Sequence, residues 1–283
     1  MIDQVRNDEF KDPPKTRALM LLQTNDDYRV LFVEGDSDQK CLSRLTLPAV
    51  DVIDSKGRDN VLENSNSIPK ELSCRSTGLC DRDFLAFGVG KHTGATITHT
   101  DYHDIEIDAF EFGDFRNYLL QAVSREKLEK NNKSIDELIE LAKSIAIPIG
   151  ALRLVNEIDL YRLDFESMKL SSNKILRNFC INQDEVLKAV LDRGENRHQS
   201  HRREEIEARV SETLRAEFDW KQIVVGHDLR NGLALVLNKF KRTNTSKVTG
   251  EDLKDILLGH LGIECLSKSC LGEYLAKKGY LKS

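Results

Sequence analysis

The carboxylates of this 283-residue chain fall in a pattern that suits a divalent cation. Glu34 closes the apolar run Arg29–Glu34, Asp54 closes Ala49–Asp54, and Asp81 and Asp83 close Gly78–Asp83. Asp101, Asp104 and Glu106 follow Ala95–Thr100. In an open parallel sheet, ligands sit beyond the carboxyl ends of the strands. Side chains two apart on extended backbone point the same way, so Asp81 and Asp83 are expected to offer two carboxylates to one cation. Without a cation they would repel one another and raise a pKa. Mg2+ (or Mn2+) fits, because Mg2+ takes oxygen ligands, usually one or two carboxylates completed by water and substrate phosphate. Gly35, next to Glu34, would let the backbone turn sharply and a substrate come close.

The elements needed to place these residues alternate. Arg29–Glu34 (RVLFVE) reads as a buried strand, Asp36–Leu45 as a helix capped by Asp36 or Ser37, and Ala49–Asp54 as a strand closed by the turn Ser55-Lys56-Gly57. A helix from Asn60 and strands over Gly78–Asp83 and Ala95–Thr100 complete a β-α-β-α-β order. That order predicts an α/β fold with a parallel sheet and right-handed crossovers. The second half reads as helical, with capping boxes at Ser134/Glu137 and Asn182/Glu185, a charged exposed helix over 196–217 and a last helical region from Thr249. Trp220–Val225 (WKQIVV) reads as a late strand that could rejoin the sheet.

Charge divides along the chain. Residues 1–115 hold 22 acids and 13 bases (−9), and residues 116–283 hold 25 acids and 29 bases (+4). Acids gathered at a cation site, with bases elsewhere to hold phosphates, would give this split, as would ordinary solvated surface. No apolar run is long enough to span a bilayer, and the charged stretch Met1–Lys15 lacks the apolar core of a secretion signal. The expectation is a cytoplasmic protein with no membrane partner. Its six scattered cysteines, without a C-x-x-C pair, read as reduced thiols.

Leu31-Phe32-Val33-Glu34-Gly35 followed by Leu79-Cys80-Asp81-Arg82-Asp83 resembles the two signature motifs of Toprim domains. Asp54–Asn60 (DSKGRDN), Thr100–Glu106 (TDYHDIE) and Gly226-His227-Asp228-Leu229 bring the chain nearer to the Toprim group labelled DUF4435. That group includes the nuclease subunit of the PARIS anti-phage system, which partners an ABC-type ATPase. The resemblance spans roughly residues 28–115, and 219–235 more loosely. It implies a Toprim core (a Rossmann-like parallel sheet with flanking helices) over 28–115, after a lead-in at 1–27. A helical insertion over 116–218 and a return strand with C-terminal helices over 219–283 complete the division. It further implies a metal-dependent endonuclease, cutting RNA (transfer RNA among the targets) or DNA as the toxic effector of a defence system. Glu34 would be the general acid/base or a metal ligand, Asp81 and Asp83 the metal pair, and Asp104 and Glu106 a third acidic patch. Lys56 and Arg58 would hold the substrate backbone, with Arg82 turned away into packing or a salt bridge. The helical second half offers surface for a homodimer.

Basic residues at Lys239, Lys241, Arg242 and Lys247 could extend phosphate binding. Those at Arg193, Arg197, Arg202 and Arg203 are followed at once by Glu204, Glu205 and Glu207, and read rather as an exposed charged helix. Gly88–His92 resembles a P-loop only superficially, lacking its first glycine and its Ser/Thr. His99 and His103 read as surface or structural residues before zinc ligands, Asp228 as a helix N-cap before a site residue, and Trp220 as core. The competing reading is a Toprim module without catalysis that binds nucleic acid or an ATPase partner. A primase or topoisomerase is set aside, for want of a zinc ribbon, a polymerase segment or a cleavage tyrosine.

Overall fold

The computed structural model describes residues 13–90, 94, 96–165, 168, 170, 172–177, 180–242 and 246–281. In chain order the elements begin with α1 (Pro14–Thr24), β1 (Arg29–Val33), α2 (Asp36–Ser43), β2 (Val50–Asp54), α3 (Arg58–Asn66), β3 (Ser76–Cys80) and β4 (Ile97–His99). There follow α4 (Ile105–Phe112), α5 (Phe115–Ala122), α6 (Arg125–Lys130), α7 (Ile135–Asp159), α8 (Ser172–Ile175), β5 (Leu176–Arg177) and β6 (Cys180–Ile181). The chain closes with α9 (Gln183–Leu191), α10 (Arg203–Arg215), α11 (Gly226–Phe240), α12 (Gly250–Gly259), α13 (Ile263–Leu266) and α14 (Cys270–Lys277). These form two compact units. One comprises residues 1–81, 92–100 and 266–283, the other 82–91 and 101–265.

The first unit is an α/β layer built on a four-stranded, all-parallel sheet of order β2-β1-β3-β4. β1 is its centre because Val30, Leu31, Phe32 and Val33 are all fully buried, as a strand covered on both faces requires. One face packs Val30 and Phe32 with Ile53 and Cys80 against Ala18 and Leu22 of α1 and Val61 of α3. A Cβ on Gly78 of β3 would come within 2.5 Å of Ser65 Oγ and 2.8 Å of Val61 Cγ1, so the glycine lets α3 lie against the strand. The C-terminal segment returns to this unit: Leu47 N–H donates to Tyr280 O (2.9 Å) and the Tyr280 hydroxyl to Val30 O (3.2 Å).

The second unit is helical, apart from the short antiparallel pair β5–β6. Its centre is α7, against which α9, α10 and α11 pack. The capping box at Ser134/Glu137 forms as read: Glu137 N–H donates to Ser134 Oγ (3.2 Å) and Ser134 N–H to Glu137 Oε2 (2.8 Å). Thr249 caps α12 in the same way with Asp252, and Asn182 caps α9.

Several expectations are corrected. Trp220–Val225 is not a strand. Trp220–Gln222 is a 3-10 turn in which the Asp219 carboxylate accepts the Lys221 N–H, and Ile223 and Val224 are buried after it while Val225 is the N-cap residue of α11. Burial of two branched side chains, rather than sheet pairing, is what that apolar run serves. The third strand ends at Cys80, short of the aspartates, because the chain turns there: Asp83 is left-handed (φ 46°) and its N–H donates to His103 O (2.8 Å). Asp81 and Asp83 are therefore not successive same-side positions of one extended strand. Gly35 is extended (φ −148°), so no sharp turn occurs at it; it is the N-cap residue of α2, its N–H held by Asp38 Oδ2 (3.1 Å), and neither Asp36 nor Ser37 caps the helix. The left-handed positions lie instead at Lys56 (φ 62°) and Gly57 (φ 118°). The charged segment 196–217 is a 3-10 stretch followed by α10, which buries Ile206 and Val210. Ala95, in the expected fourth strand, lies outside the described residues.

Candidate functional site

The carboxyl ends of β1, β2 and β3 are tied together by the loop after β2. Ser55 N–H donates to Val33 O (2.9 Å) and Gly57 N–H to Glu34 O (2.8 Å), which folds Ser55–Gly57 over the end of β1. Lys56 can hold its left-handed conformation because its N–H (2.8 Å) and its ammonium both reach Asp54. Lys56 is thus Asp54's partner, with a side chain mostly in solvent.

That loop delivers Arg58, the first residue of α3, to Glu34. Arg58 Nε lies 3.2 Å from Glu34 Oε1, and the same oxygen accepts the N–H of Asp81 at 3.0 Å. The Arg58 guanidinium also donates to the carbonyl of Asp81. Glu34 and Asp81, 47 residues apart, are joined through one carboxylate oxygen and one arginine. Both side chains of the ion pair keep about a quarter of their surface exposed, so the cluster is reachable from solvent. Beneath it, burial together with the Glu34 carboxylate pushes the Cys80 thiol up to about 12, keeping it an inert neutral group.

As donors these residues fit Mg2+. They are hard oxygens at sheet ends and few in number, and Mg2+ usually takes one or two carboxylates, with water and phosphate completing its shell. Among the described residues no group of three or more His, Cys, Asp or Glu comes together in a way that could hold a metal ion.

Asp83, Asp104 and Glu106 belong to the second unit, Glu34 and Asp81 to the first. Asp104 is structural in this fold. It caps α4 through Ile107 N–H (3.0 Å) and accepts Gly226 N–H (2.7 Å), pinning the start of α11. Gly226 has to be glycine there, since a Cβ would stand 2.3 Å from Glu106 Cβ and 2.7 Å from Asp104 Oδ1. Glu106 is pushed up to about 7, by burial first and then by the Asp104 charge, against the pull of Arg230. Arg230 is itself buried, 3.0 Å from Glu106 Oε2 and 2.5 Å from Glu251 Oε1.

Three charged residues, the buried Asp108 and Arg230 and the half-buried Arg153, were not picked out from the sequence. Asp108 is pushed up to about 7 by burial, although its carboxylate accepts Asp101 N–H (2.9 Å) and Tyr102 N–H (2.8 Å). Arg230 and Arg153 are the other two. The signal was present in each case: an ionisable residue inside an apolar helical stretch, as in Ile107-Asp108-Ala109, Leu152-Arg153-Leu154 and Leu229-Arg230. Asp228 does not cap α11; it is fully buried in its first turn and paired with Arg153 at 2.7 Å and 3.2 Å. His103 is buried edge-on against Phe84 (4.9 Å between centroids) beside Asp104, a structural setting. Trp220 is half-buried, edge-on to Phe110 and with the Lys143 ammonium 4.8 Å above its ring. Arg193, Arg202 and Arg203 pair with Asp164, Glu195, Glu205, Asp192 and Glu207, as an exposed charged segment should. Lys91 and His92 of the P-loop-like stretch lie outside the described residues.

No protein-family model matches the chain, and no curated protein matches it. Among the described residues no helix is long and apolar enough to cross a membrane.

Proposed function

We propose that this chain is a Toprim-type, divalent-metal-dependent endonuclease. The observation that carries the reading is the placement of Glu34 at the end of the central strand β1, with its carboxylate on the N–H of Asp81 just beyond the neighbouring strand β3. Two carboxylates on adjacent parallel strand ends, reachable from solvent and accompanied by an arginine, suit phosphodiester chemistry. The resemblance of the E-G and D-x-D stretches to the DUF4435 group points the same way. It also supports an RNA substrate before a DNA one, an ABC-type ATPase partner and a role in anti-phage defence.

Glu34 and Asp81, both in the first unit, would hold Mg2+ or Mn2+, which when bound neutralises phosphate charge and stabilises the attacking and leaving oxygens. Glu34 would take the proton of the attacking water. Arg58 would grip two phosphate oxygens, a bidentate task for which its planar fork suits it, and Lys56, mostly in solvent beside Asp54, would add positive charge at the rim. Asp104, with both oxygens committed to backbone N–H groups, serves the fold. Glu106 faces Arg230.

One observation favours the alternative of a non-catalytic binding module: the Glu34 carboxylate is already neutralised by Arg58. A cleavage assay separates the two. The purified chain is incubated with Mg2+ or Mn2+ against total transfer RNA and plasmid DNA, beside folded Glu34→Ala and Asp81→Asn variants. Metal-dependent cutting that both variants lose supports the nuclease. Equal cutting by all three proteins, or none even when an ATPase partner is supplied, sinks it.

A further inference from the structure

The second unit concentrates positive charge at one place. Residues 124–133 and 238–248 hold eight bases (Arg125, Lys127, Lys130, Lys133, Lys239, Lys241, Arg242 and Lys247) against two acids, in a chain whose net charge is −5. The fold brings these segments together. Val123 and Lys241 form an isolated antiparallel bridge, Ser124 N–H donates to Phe240 O (2.8 Å), and the Lys127 ammonium donates to Lys241 O (2.8 Å). In the last turn of α11, Asn238 grips both backbone groups of Val248, donating to its O (2.7 Å) and accepting its N–H (3.0 Å). That clamp holds the neighbouring Lys247 at the end of α11. Lys130, Lys239 and Lys247 are exposed.

A helix C-terminus favours a cation near its last carbonyls, which accounts for Lys239 or Lys241. It does not account for α6 carrying a basic residue at nearly every third position beside that end, nor for the clamp that holds Lys247 there. Arg125 and Lys133 are paired with Glu129 (3.0 Å) and Glu137 (3.0 Å), so the repulsion that a polyanion would relieve lies with the exposed Lys130, Lys239 and Lys247. The mixed arginine and lysine composition, spread over α6, the end of α11 and the segments that follow each, suits a backbone of repeated phosphates better than one small anion.

We infer that α6 and the C-terminal end of α11 form a surface that binds the phosphate backbone of a nucleic acid strand. The inference rests on the nuclease reading only for what becomes of the bound strand; the binding itself is independent of it.

The test measures binding of the full chain to a fluorescent RNA hairpin and to duplex DNA, by anisotropy in EDTA so that nothing is cut, across a salt series. A patch variant (Lys130→Glu, Lys239→Glu, Lys247→Glu) is compared with a control of equal charge change at exposed lysines elsewhere (Lys70→Glu, Lys188→Glu, Lys277→Glu). Both are checked by circular dichroism and melting. The expected result is weaker binding by the patch variant on every sequence, with the slope of log K against log salt reduced by about one for each lysine lost, and near-parental binding by the control. Parental-strength binding by the patch variant, equal weakening of both variants, no binding by the parent, or equal competition by polyglutamate would each overturn the assignment. Cleavage in Mg2+ is scored separately, with the ATPase partner supplied, so binding without cutting there would refute the nuclease and leave the surface standing.

Discussion

Arg58 Nε sits 3.2 Å from Glu34 Oε1, on the same oxygen that receives the N–H of Asp81. The arginine occupies the electrostatic role that a cation would play beside that carboxylate. Under the nuclease reading, Arg58 and the metal compete for Glu34 until phosphate arrives to take the guanidinium. Arg58→Gln is therefore expected to tighten Mn2+ binding severalfold, read by Mn2+ electron paramagnetic resonance or calorimetry, while lowering cleavage. Loss of a partly exposed pair should change stability by no more than about 1 kcal/mol. Unchanged or weaker Mn2+ affinity in a folded variant would refute the competition.

Gly226→Ala tests the packing between α4 and α11. The added methyl would meet Glu106 Cβ at 2.3 Å and Asp104 Oδ1 at 2.7 Å, both on the short, capped start of α4, where little can give way. Overpacking of this kind costs about 1–3 kcal/mol, so the melting temperature should fall by several degrees. An unchanged melt would mean that α11 can shift at its first turn.

How much of this could be read from the chain depended on the range of the interactions. β1 was legible because four consecutive branched or aromatic residues fit only a buried strand, and the Ser134/Glu137 capping box because its partners are three residues apart. Glu34 and Asp81 were placed at strand ends by strand order alone. Trp220–Val225 has strand composition, yet its apolar side chains are buried from a capped turn, a choice made by tertiary packing. The left-handed turn at Asp83 depends on an N–H bonding to His103 O, twenty residues further along. Asp104 was read as a ligand because its type and position allowed it. Its hydrogen bond to Gly226, 122 residues away, commits it to the fold and was not visible in either segment.

Glu106 gives the fold a pH dependence. Burial and Asp104 raise its carboxyl from 4.5 to about 7. A raised folded-state value means that the native state holds its proton more tightly. The stabilisation is thus fully present below about 4.5 and is lost as pH rises through about 7. One group can contribute at most about 1.4 kcal/mol per pH unit in that window. Denaturant midpoints of the parent should decline between pH 5 and 7.5 more steeply than those of Glu106→Gln. Parallel curves would show that Arg230 keeps Glu106 ionised throughout.

Arg153 and Asp228 make the opposite case. Burial of Asp228 works to raise its carboxyl, but His227 and the two contacts from Arg153 outweigh it and hold the group below its ordinary value. A depressed folded-state value supplies stability above the unfolded value that is lost as pH falls through the folded one. Removing the arginine strands a fully buried carboxylate between α7 and α11, which costs about 3–5 kcal/mol. Arg153→Met should therefore be strongly destabilised at neutral pH and recover relative to the parent in acid, where protonation neutralises Asp228. The double variant Arg153→Met, Asp228→Asn should regain much of the loss, because two neutral side chains replace an unpaired charge. Chemical denaturation of the four proteins at pH 7 and at pH 4 closes the cycle. A small penalty for Arg153→Met at pH 7, or no rescue by the second substitution, would show that water or His227 compensates the carboxylate and that the pair does not hold α11 to α7.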